Sequence, residues 1–447
     1  MMHTLEQLRS GKLLGIRRLK LACGLSEFPR EIFDLADTLE ILDLSGNALS
    51  SLPDDLPRLA RLRVIFCSDN QFTELPEILG QCPQLSMLGF KANRICKVSA
   101  ASLPATLRWL ILTDNRIEEL PAGIGKCTQL QKLMLAANRL QALPVELAAC
   151  SRLELLRIAA NRLTELPVWL LSLPRLTWLA YAGNPFCEAR EFAALADTPI
   201  AAIHWDHLQI GQKLGEGASG VIHQARHRNS ADSRSVAVKL FKGALTSDGL
   251  PRCEMAACIA AGEHPNLIPV QGQLQGHPAG VNGLVLSLID PELCNLAGPP
   301  SLESCTRDIY ASGKCFDLDT ILGMAQGIAS ACGHLHRRGI MHGDLYGHNI
   351  LHGSQGRTLL GDFGAASFFA PETLHATLLQ RLEVRAFGCL LEEWIERCHV
   401  AAESEPILEH LAQLKTACLQ DETASRPLFA EIERRLSELA APCPPPA

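Results

Sequence analysis

The chain has 447 residues, too many for one ordinary core, and 47% apolar against 20% charged content excludes a disordered chain and makes two domains the expectation. Residues 1–203 carry 22 Lys and Arg against 21 Asp and Glu, whereas the remainder carries 19 against 27, and an acidic second half argues against nucleic acid as its main partner. The 17 cysteines form no C-x-x-C pair, and their spacing suggests neither a zinc site nor a disulfide framework. They fall at apolar positions such as Cys67, Cys258 and Cys389, where a buried thiol behaves as a small hydrophobe, and the odd count favours a reducing compartment. The start, M-M-H-T-L-E-Q-L-R, lacks the apolar core of a secretory signal. The longest apolar stretch, around Leu166–Leu173, is far short of the roughly 20 residues of a membrane span. The expectation is a soluble, cytoplasmic protein without a membrane span.

Asparagines recur at Asn47, Asn70, Asn93, Asn115, Asn138, Asn161 and Asn184, at intervals of 23, 23, 22, 23, 23 and 23 residues. Around each sits one template, seen in L-E-I-L-D-L-S-G-N-A-L-S-S-L-P from Leu39 to Pro53, and a degenerate earlier copy occupies Leu19–Pro29. This pattern resembles the leucine-rich repeat family. The leucines of L-x-x-L-x-L point into a shared core, and each Asn turns inward where the strand ends, to bond backbone groups that the bend would leave unpaired. Pro53, Pro76, Pro121, Pro144 and Pro167 then start the return segments, and Glu188–Leu195 reads as a short capping helix.

The residues between the inward leucines face the concave side. One column reads Ile41, Val64, Met87, Trp109, Lys132, Leu155 and Trp178, and the next reads Asp43, Phe66, Gly89, Ile111, Met134, Arg157 and Ala180. Strand propensity alone accounts for some of this apolar surface. The other reading is a binding face centred on Phe66, Trp109, Ile111 and Met134, occupied by a protein partner or by the chain's own second domain.

From Leu208 the pattern changes to strand-like segments up to about Ile289, with helical patterns after it. Leu214–Val221 reads L-G-E-G-A-S-G-V, Val236–Lys239 reads V-A-V-K, Glu254 follows in a helical stretch, His342–Asn349 reads H-G-D-L-Y-G-H-N, and Asp362 opens D-F-G. In that order and spacing these residues resemble the eukaryotic-type protein kinase family, over about residues 208–437. The expected fold is therefore a multi-domain chain, an α/β leucine-rich-repeat solenoid over 1–203 followed by an α+β bilobal kinase fold over 204–438, with a Pro-rich tail at 439–447.

The resemblance assigns roles. Leu214, Gly215, Gly217, Gly220, Val221 and Ala237 would surround ATP, the glycines letting backbone approach the phosphates. Lys239 would hold the α- and β-phosphates and pair with Glu254. Asp344 would be the catalytic base, Asn349 and Asp362 would supply oxygens to Mg²⁺, and Leu284–Ile289 would line the adenine pocket. His342 reads as packed. Glu372 of A-P-E and Arg426 of R-P would form the family's buried structural pair, and Glu383 stands where the family has Asp.

Three departures accompany the match. Gly343 stands where most family members have an Arg that binds a phosphorylated loop. Only A-A-S-F-F separates D-F-G from A-P-E, with Ser367 its sole hydroxyl, which argues against loop phosphorylation as the switch. Tyr346 replaces the Lys that steadies the γ-phosphate in serine/threonine kinases, and His348 is placed to substitute as a protonated donor. The leading expectation is a cytoplasmic signalling kinase of bacterial-like leucine-rich-repeat type, using ATP and Mg²⁺ on Ser or Thr of a protein substrate. A small-molecule phosphotransferase of aminoglycoside or choline kinase type is the alternative, since H-G-D-L-x-x-x-N is also its pattern. A non-catalytic scaffold is the third reading.

Overall fold

The computed structural model describes residues 2–197, 200–217, 219–229, 232–243, 245–246, 248–399 and 405–440. The chain divides into two compact units, Met1–Leu176 with Asn184–Phe186, and Thr177–Gly183 with Cys187–Ala447. The division falls earlier than the boundary at residue 203 expected from the repeat period. Most of the last repeat copy and of the helix after it groups with the second unit.

In the first unit a short helix α1 (Leu5–Arg9), closed by a Thr4–Gln7 capping box, precedes the repeat strands. These are β1 (Arg18–Lys20), β2 (Ile41–Asp43), β3 (Val64–Phe66), β4 (Met87–Gly89), β5 (Trp109–Ile111), β6 (Lys132–Met134) and β7 (Leu155–Arg157), paired in parallel and in register. Their middle residues Leu19, Leu42, Ile65, Leu88, Leu110, Leu133 and Leu156 stack into one fully buried row. The side-chain period of two forces this, because the middle residue of three faces opposite to its neighbours. Pro29, Pro76, Pro121 and Pro144 cap 3₁₀ turns on the return side, and Pro167 caps the short helix α2 (Val168–Leu171). The proline ring presets the entry dihedral there and removes an N–H that would have no partner.

Each repeated Asn links its copy to the one before. Asn138 Oδ1 accepts from Ile117 N at 3.0 Å while its Nδ2 donates to Leu112 O at 2.9 Å, and Asn70, Asn93, Asn115 and Asn161 repeat the arrangement. The residue before each Asn takes a left-handed φ: Gly46, Asp69, Ala92, Asp114, Ala137, Ala160 and Gly183. Five of these seven have a side chain, so the turn is held against a local conformational cost. On the concave columns Val64, Met87 and Leu155 are buried, whereas Phe66, Trp109, Ile111 and Met134 are half-buried. The Phe66 ring lies over Gly89, where any Cβ would sit 2.3 Å from it, and the Lys132 ammonium stands 4.3 Å from the centre of the Trp109 ring.

The second unit begins with β8 (Trp178–Ala180), the helix α3 (Pro185–Asp197) that extends the expected cap, and β9 (Ala202–His204). A six-stranded sheet follows, built from β9, β10 (Leu208–Glu216), β11 (Gly220–Asn229), β12 (Asp232–Phe241), β13 (Val270–Gln275) and β14 (Gly283–Ser287), in the order β10-β11-β12-β14-β13-β9. Helix α4 (Pro251–Ala261) comes between β12 and β13. Alternation on β12 sends Val236 and Val238 into a core with Ala225, Leu274 and Val285, and leaves Ala237 and Lys239 on the opposite face. Beyond β15 (Cys294–Asn295) the unit is mainly helical. Helix α5 (Leu318–Arg337) is followed by β16 (Ile340–Met341), β17 (Ile350–His352), β18 (Thr358–Leu360) and β19 (Ser367–Phe368), then by α6 (Leu374–Ile395), α7 (Glu405–Cys418) and α8 (Phe429–Ala440).

Arg426 is fully buried, but Glu372 is exposed, so the expected buried pair does not describe this site. Arg426 donates to the carbonyls of Gln420 and Arg381 at 2.8 and 3.2 Å. Of the expected Pro-rich tail, residues 439 and 440 close α8 and 441–447 lie outside the described residues. The described cysteines are thiols, with Cys67 and Cys389 buried and Cys258 half-buried. Among the described residues no helix is long and apolar enough to cross a membrane.

Candidate active site

Strand register builds the upper wall of the site. Ile222 on β11, Lys239 on β12 and Leu284 on β14 lie directly across from one another and so share a face, as do Ala237 and Leu286. Ile222, Lys239, Leu284 and Leu286 line a pocket with Val270, Glu254, Leu267, Ile268, Gly361, Asp362 and Phe363. Val221, the expected wall residue, pairs with Leu240 and faces the other way, because one step along a strand reverses the side chain. The wall is Ile222. Leu214 is 46% exposed on β10, and Gly217 N donates to Gly220 O at 3.0 Å across the turn between the two strands. Among the described residues, an added Cβ at Gly215 or Gly217 would meet nothing within 4 Å, which leaves the backbone there approachable. At Gly220 a Cβ would sit 2.5 Å from Leu240 O.

Helix α4 starts at Pro251 and points Glu254 at β12, where its carboxylate is ion-paired with Lys239. Glu254 is 2% exposed. Burial works against the Lys239 charge, but Glu254 and then Asp362 outweigh it and hold the ammonium above its ordinary pKa. Lys239, Glu254 and Asp362 thus form one electrostatic cluster within one pocket. Asp362 adopts φ 54° and ψ 81°, a left-handed conformation rare for a residue with a side chain, and its Oδ1 accepts from Gly364 N at 3.2 Å.

The loop after β16 is bonded to the segment carrying Asp362, with Gly361 N donating to Asn349 O at 3.0 Å. Asn349 Nδ2 donates to Asp344 O at 2.9 Å and to Asp344 Oδ2 at 2.8 Å, so these two residues are brought together directly. That commits the amide nitrogen and leaves Oδ1 as the outward acceptor. His342 is fully buried with Nε2 2.9 Å from Gly361 O, a packing role that ties this loop to the segment carrying Asp362. Glu383, reaching in from α6, accepts from Gly343 N at 2.7 Å and from His342 N at 3.2 Å, and lies 2.7 Å from His336 Nε2. Burial pushes the Glu383 pKa up, but His336, His342 and the Gly343 N–H outweigh it and hold the carboxyl below its ordinary range. A buried carboxylate therefore fixes the backbone next to Asp344.

Two further residues, Asp308 and Trp178, contact the loop that carries Asp344. Asp308, on the connection before α5, accepts from His348 Nδ1 at 2.7 Å and from His348 N at 2.9 Å. Burial opposes charge on His348, but Asp308 first, then Asp344 and Asp362, raise its pKa above that of an ordinary imidazole. Tyr346 is 4% exposed and stacked against the Trp178 ring, with centres 4.2 Å apart and planes 9° apart. Nothing in the sequence pattern marks Asp308. Trp178 carried a signal, as the last large aromatic of a concave column.

Comparison with known proteins agrees with both halves of this description. Residues 208–387 match the family model described as protein tyrosine and serine/threonine kinase, and residues 38–59 and 128–186 match leucine rich repeat models. The chain is similar to a probable serine/threonine-protein kinase of Arabidopsis thaliana, 25% identical over 166 residues, covering 37% of this chain and 21% of the relative. It is also similar to a putative cyclin-dependent kinase F-2 of Oryza sativa subsp. japonica, 27% identical over 259 residues, covering 53% and 76%. Cytokinesis protein sepH of Aspergillus terreus is 31% identical over 207 residues, 42% of this chain and 14% of that protein. The chain thus spans about a fifth or less of the length of two of these three relatives. It carries a leucine-rich-repeat array followed by a protein kinase domain.

Proposed function

We propose that the second unit transfers the γ-phosphate of Mg–ATP to Ser or Thr of a protein substrate. The observation that carries this reading is the Lys239–Glu254 ion pair formed in the same pocket as Asp362, with Asp344 and Asn349 hydrogen-bonded to each other on the loop below. Phosphoryl transfer asks mainly for positioning and neutralisation of charge, and these residues supply both. Lys239, its charge favoured by two carboxylates, binds the α- and β-phosphates. Asp344 orients the acceptor hydroxyl and takes its proton. The Asn349 amide oxygen and the Asp362 carboxylate are hard donors that fit Mg²⁺, which takes few protein ligands and completes its shell with water and phosphate. When bound, the metal would neutralise charge on the β- and γ-phosphates. His348, held by Asp308 and favoured as a cation, serves near the γ-phosphate in place of the missing Lys.

Labelled ATP with wild type and Asp344→Asn tests this. Label on protein from wild type, reduced about 10²–10⁴-fold in the variant, supports it. Turnover only with small-molecule acceptors supports a phosphotransferase, and equal behaviour of the two proteins supports a scaffold.

The half-buried group Phe66, Trp109, Ile111 and Met134 supports a second part of the reading, in which the concave face of the array holds a protein partner or the kinase domain in a cytoplasmic, bacterial-like signalling protein. Replacing Trp109 and Ile111 together by Ser should abolish partner capture or change basal activity. No change in either sinks the idea.

A further inference from the structure

Residues 177–200 contact the Asp344 loop, the segment after D-F-G and helix α4. Trp178 Nε1 donates to Leu345 O at 3.0 Å, one residue after Asp344, while its ring stacks on Tyr346. Leu179 O lies against Gly343, where a Cβ would approach it to 2.7 Å. Tyr181 N donates to Ser367 Oγ at 3.1 Å, and its hydroxyl donates to Phe368 O at 3.3 Å. Ser367 is fully buried, so the sole hydroxyl between D-F-G and A-P-E serves as an internal acceptor and is closed to modification in this state.

The following helix α3 reaches the other side of the site. Glu191 is 6% exposed, with Oε1 accepting from Gly183 N at 2.7 Å and Oε2 accepting from Cys253 Sγ at 3.2 Å, the residue next to Glu254. Leu195 and Ile200 pack on the cluster of Phe241, Met255, Ile259 and Leu284, which joins α4 to the sheet.

We propose that residues 177–197 form a built-in clasp in which Trp178, Tyr181 and Glu191 are positioning residues: the first two hold the Asp344 loop and the segment after D-F-G, and the third holds helix α4 with Glu254 facing Lys239. Rings stacked 9° from parallel and buried hydrogen bonds to carbonyls fix geometry in the way a phosphate bridged to an Arg fixes a longer loop. The clasp needs no phosphate, and it occupies the space in which an Arg at position 343 would begin. This rests on the kinase reading, and it makes the active arrangement a property of the folded chain.

The test uses full-length wild type, Trp178→Ala, Trp178→Phe, Tyr181→Phe and Glu191→Ala, each measured for kcat, KM for ATP and thermal midpoint, together with phosphatase-treated wild type. Trp178→Ala is expected to lower kcat tenfold or more with KM for ATP within about twofold, because the pocket of Lys239 and Asp362 is left alone. Trp178→Phe, which keeps the stack, should recover most of the loss, and Tyr181→Phe should lower kcat less. Glu191→Ala should instead raise KM for ATP, by loosening α4. Phosphatase treatment should change nothing. Wild-type kcat in Trp178→Ala together with wild-type KM for ATP in Glu191→Ala, or loss of activity on phosphatase treatment, overturns the clasp and leaves the kinase reading standing. Should Trp178→Ala unfold, a folded Trp178→Phe or Tyr181→Phe with kcat and KM falling in equal proportion overturns it as well. Wild type that labels no protein removes the kinase reading, and the clasp's role with it.

Discussion

Replacing Gly343 by Ala adds a single carbon, and its consequences can be worked out atom by atom. Gly343 has φ +74°, a conformation that costs a residue with a side chain about 1–2 kcal/mol. The new Cβ would lie 2.6 Å from Ala365 O and 2.7 Å from Leu179 O, and both are backbone atoms that cannot rotate away. Relieving two such contacts requires the loop to shift, at about 1–3 kcal/mol. The total, about 2–5 kcal/mol, is a large share of a typical domain's stability of about 5–15 kcal/mol. The protein should therefore fold with the loop displaced. Displacement has a second effect, because Gly343 N is the donor to Glu383 and Asp344 is the next residue. A shift of the order of 1 Å at a reacting group costs about 10²-fold in rate. Denaturant unfolding, followed through the step at which nucleotide binding is lost, reads the stability change, and kcat on a protein substrate reads the displacement. A loss below 1 kcal/mol with kcat unchanged would refute the reasoning. So would a Gly343→Arg protein of normal stability, since its side chain would have to begin in the same occupied space.

Other predictions follow from single contacts. Glu383→Gln keeps one acceptor oxygen but replaces the other with an NH2 donor, leaving one backbone N–H facing a donor or His336 without its carboxylate, and should cost about 2–4 kcal/mol on denaturant unfolding. Because the folded state holds the Glu383 pKa below its ordinary 4.5, the group's contribution is complete above that pH and is lost as pH falls through the folded value. Wild type should accordingly lose more stability than Glu383→Gln on acidification below about pH 4.5, and parallel curves would contradict this. Ala137→Gly relieves a left-handed residue at φ 56° and should stabilise the array by about 0.5–1 kcal/mol, read as a raised unfolding midpoint.

The repeat array was legible because its period carries its own redundancy. Each Asn makes the same pair of bonds, so seven copies of one letter at a 23-residue spacing imply the whole ladder. Lys239, Glu254, Asp344, Asn349 and Asp362 were legible for a different reason: their order and spacing resemble the motifs of the protein kinase family, and the resemblance assigns their roles. What escaped depended on facing and on distance along the chain. Val221 and Ile222 are adjacent and chemically alike, and only strand register decides which of them faces the pocket. Asp308 holds His348 from 40 residues away and Trp178 reaches Leu345 across 167, separations at which spacing carries no information. The repeat period itself misled at the boundary. It continues through Asn184, so residues 177–183 read as array, while the Trp178 and Tyr181 side chains make contacts in the second unit.

The departures from the family pattern then acquire one cause. In the sequence, Gly343, Tyr346 and the short segment with Ser367 look like three independent losses: an anchor for phosphate, a phosphate-steadying Lys and a regulatory loop. In the fold each is one side of a contact with the same few residues. Gly343 makes room for Leu179 O, Tyr346 gives Trp178 a ring to stack on, and Ser367 accepts from Tyr181 N. Three unrelated losses would leave three gaps for solvent, yet Tyr346 and Ser367 are 4% and 0% exposed, and Trp178 and Tyr181 are 2% and 1% exposed. Restoring one family residue alone should therefore harm the protein, because each would meet an occupied site. A Lys at 346 would lose the Trp178 stack and bring a charge into a closed environment, where burial without a partner costs several kcal/mol. Adaptation toward the usual pattern would have to begin with residues 178–181, and the loop could change only after them.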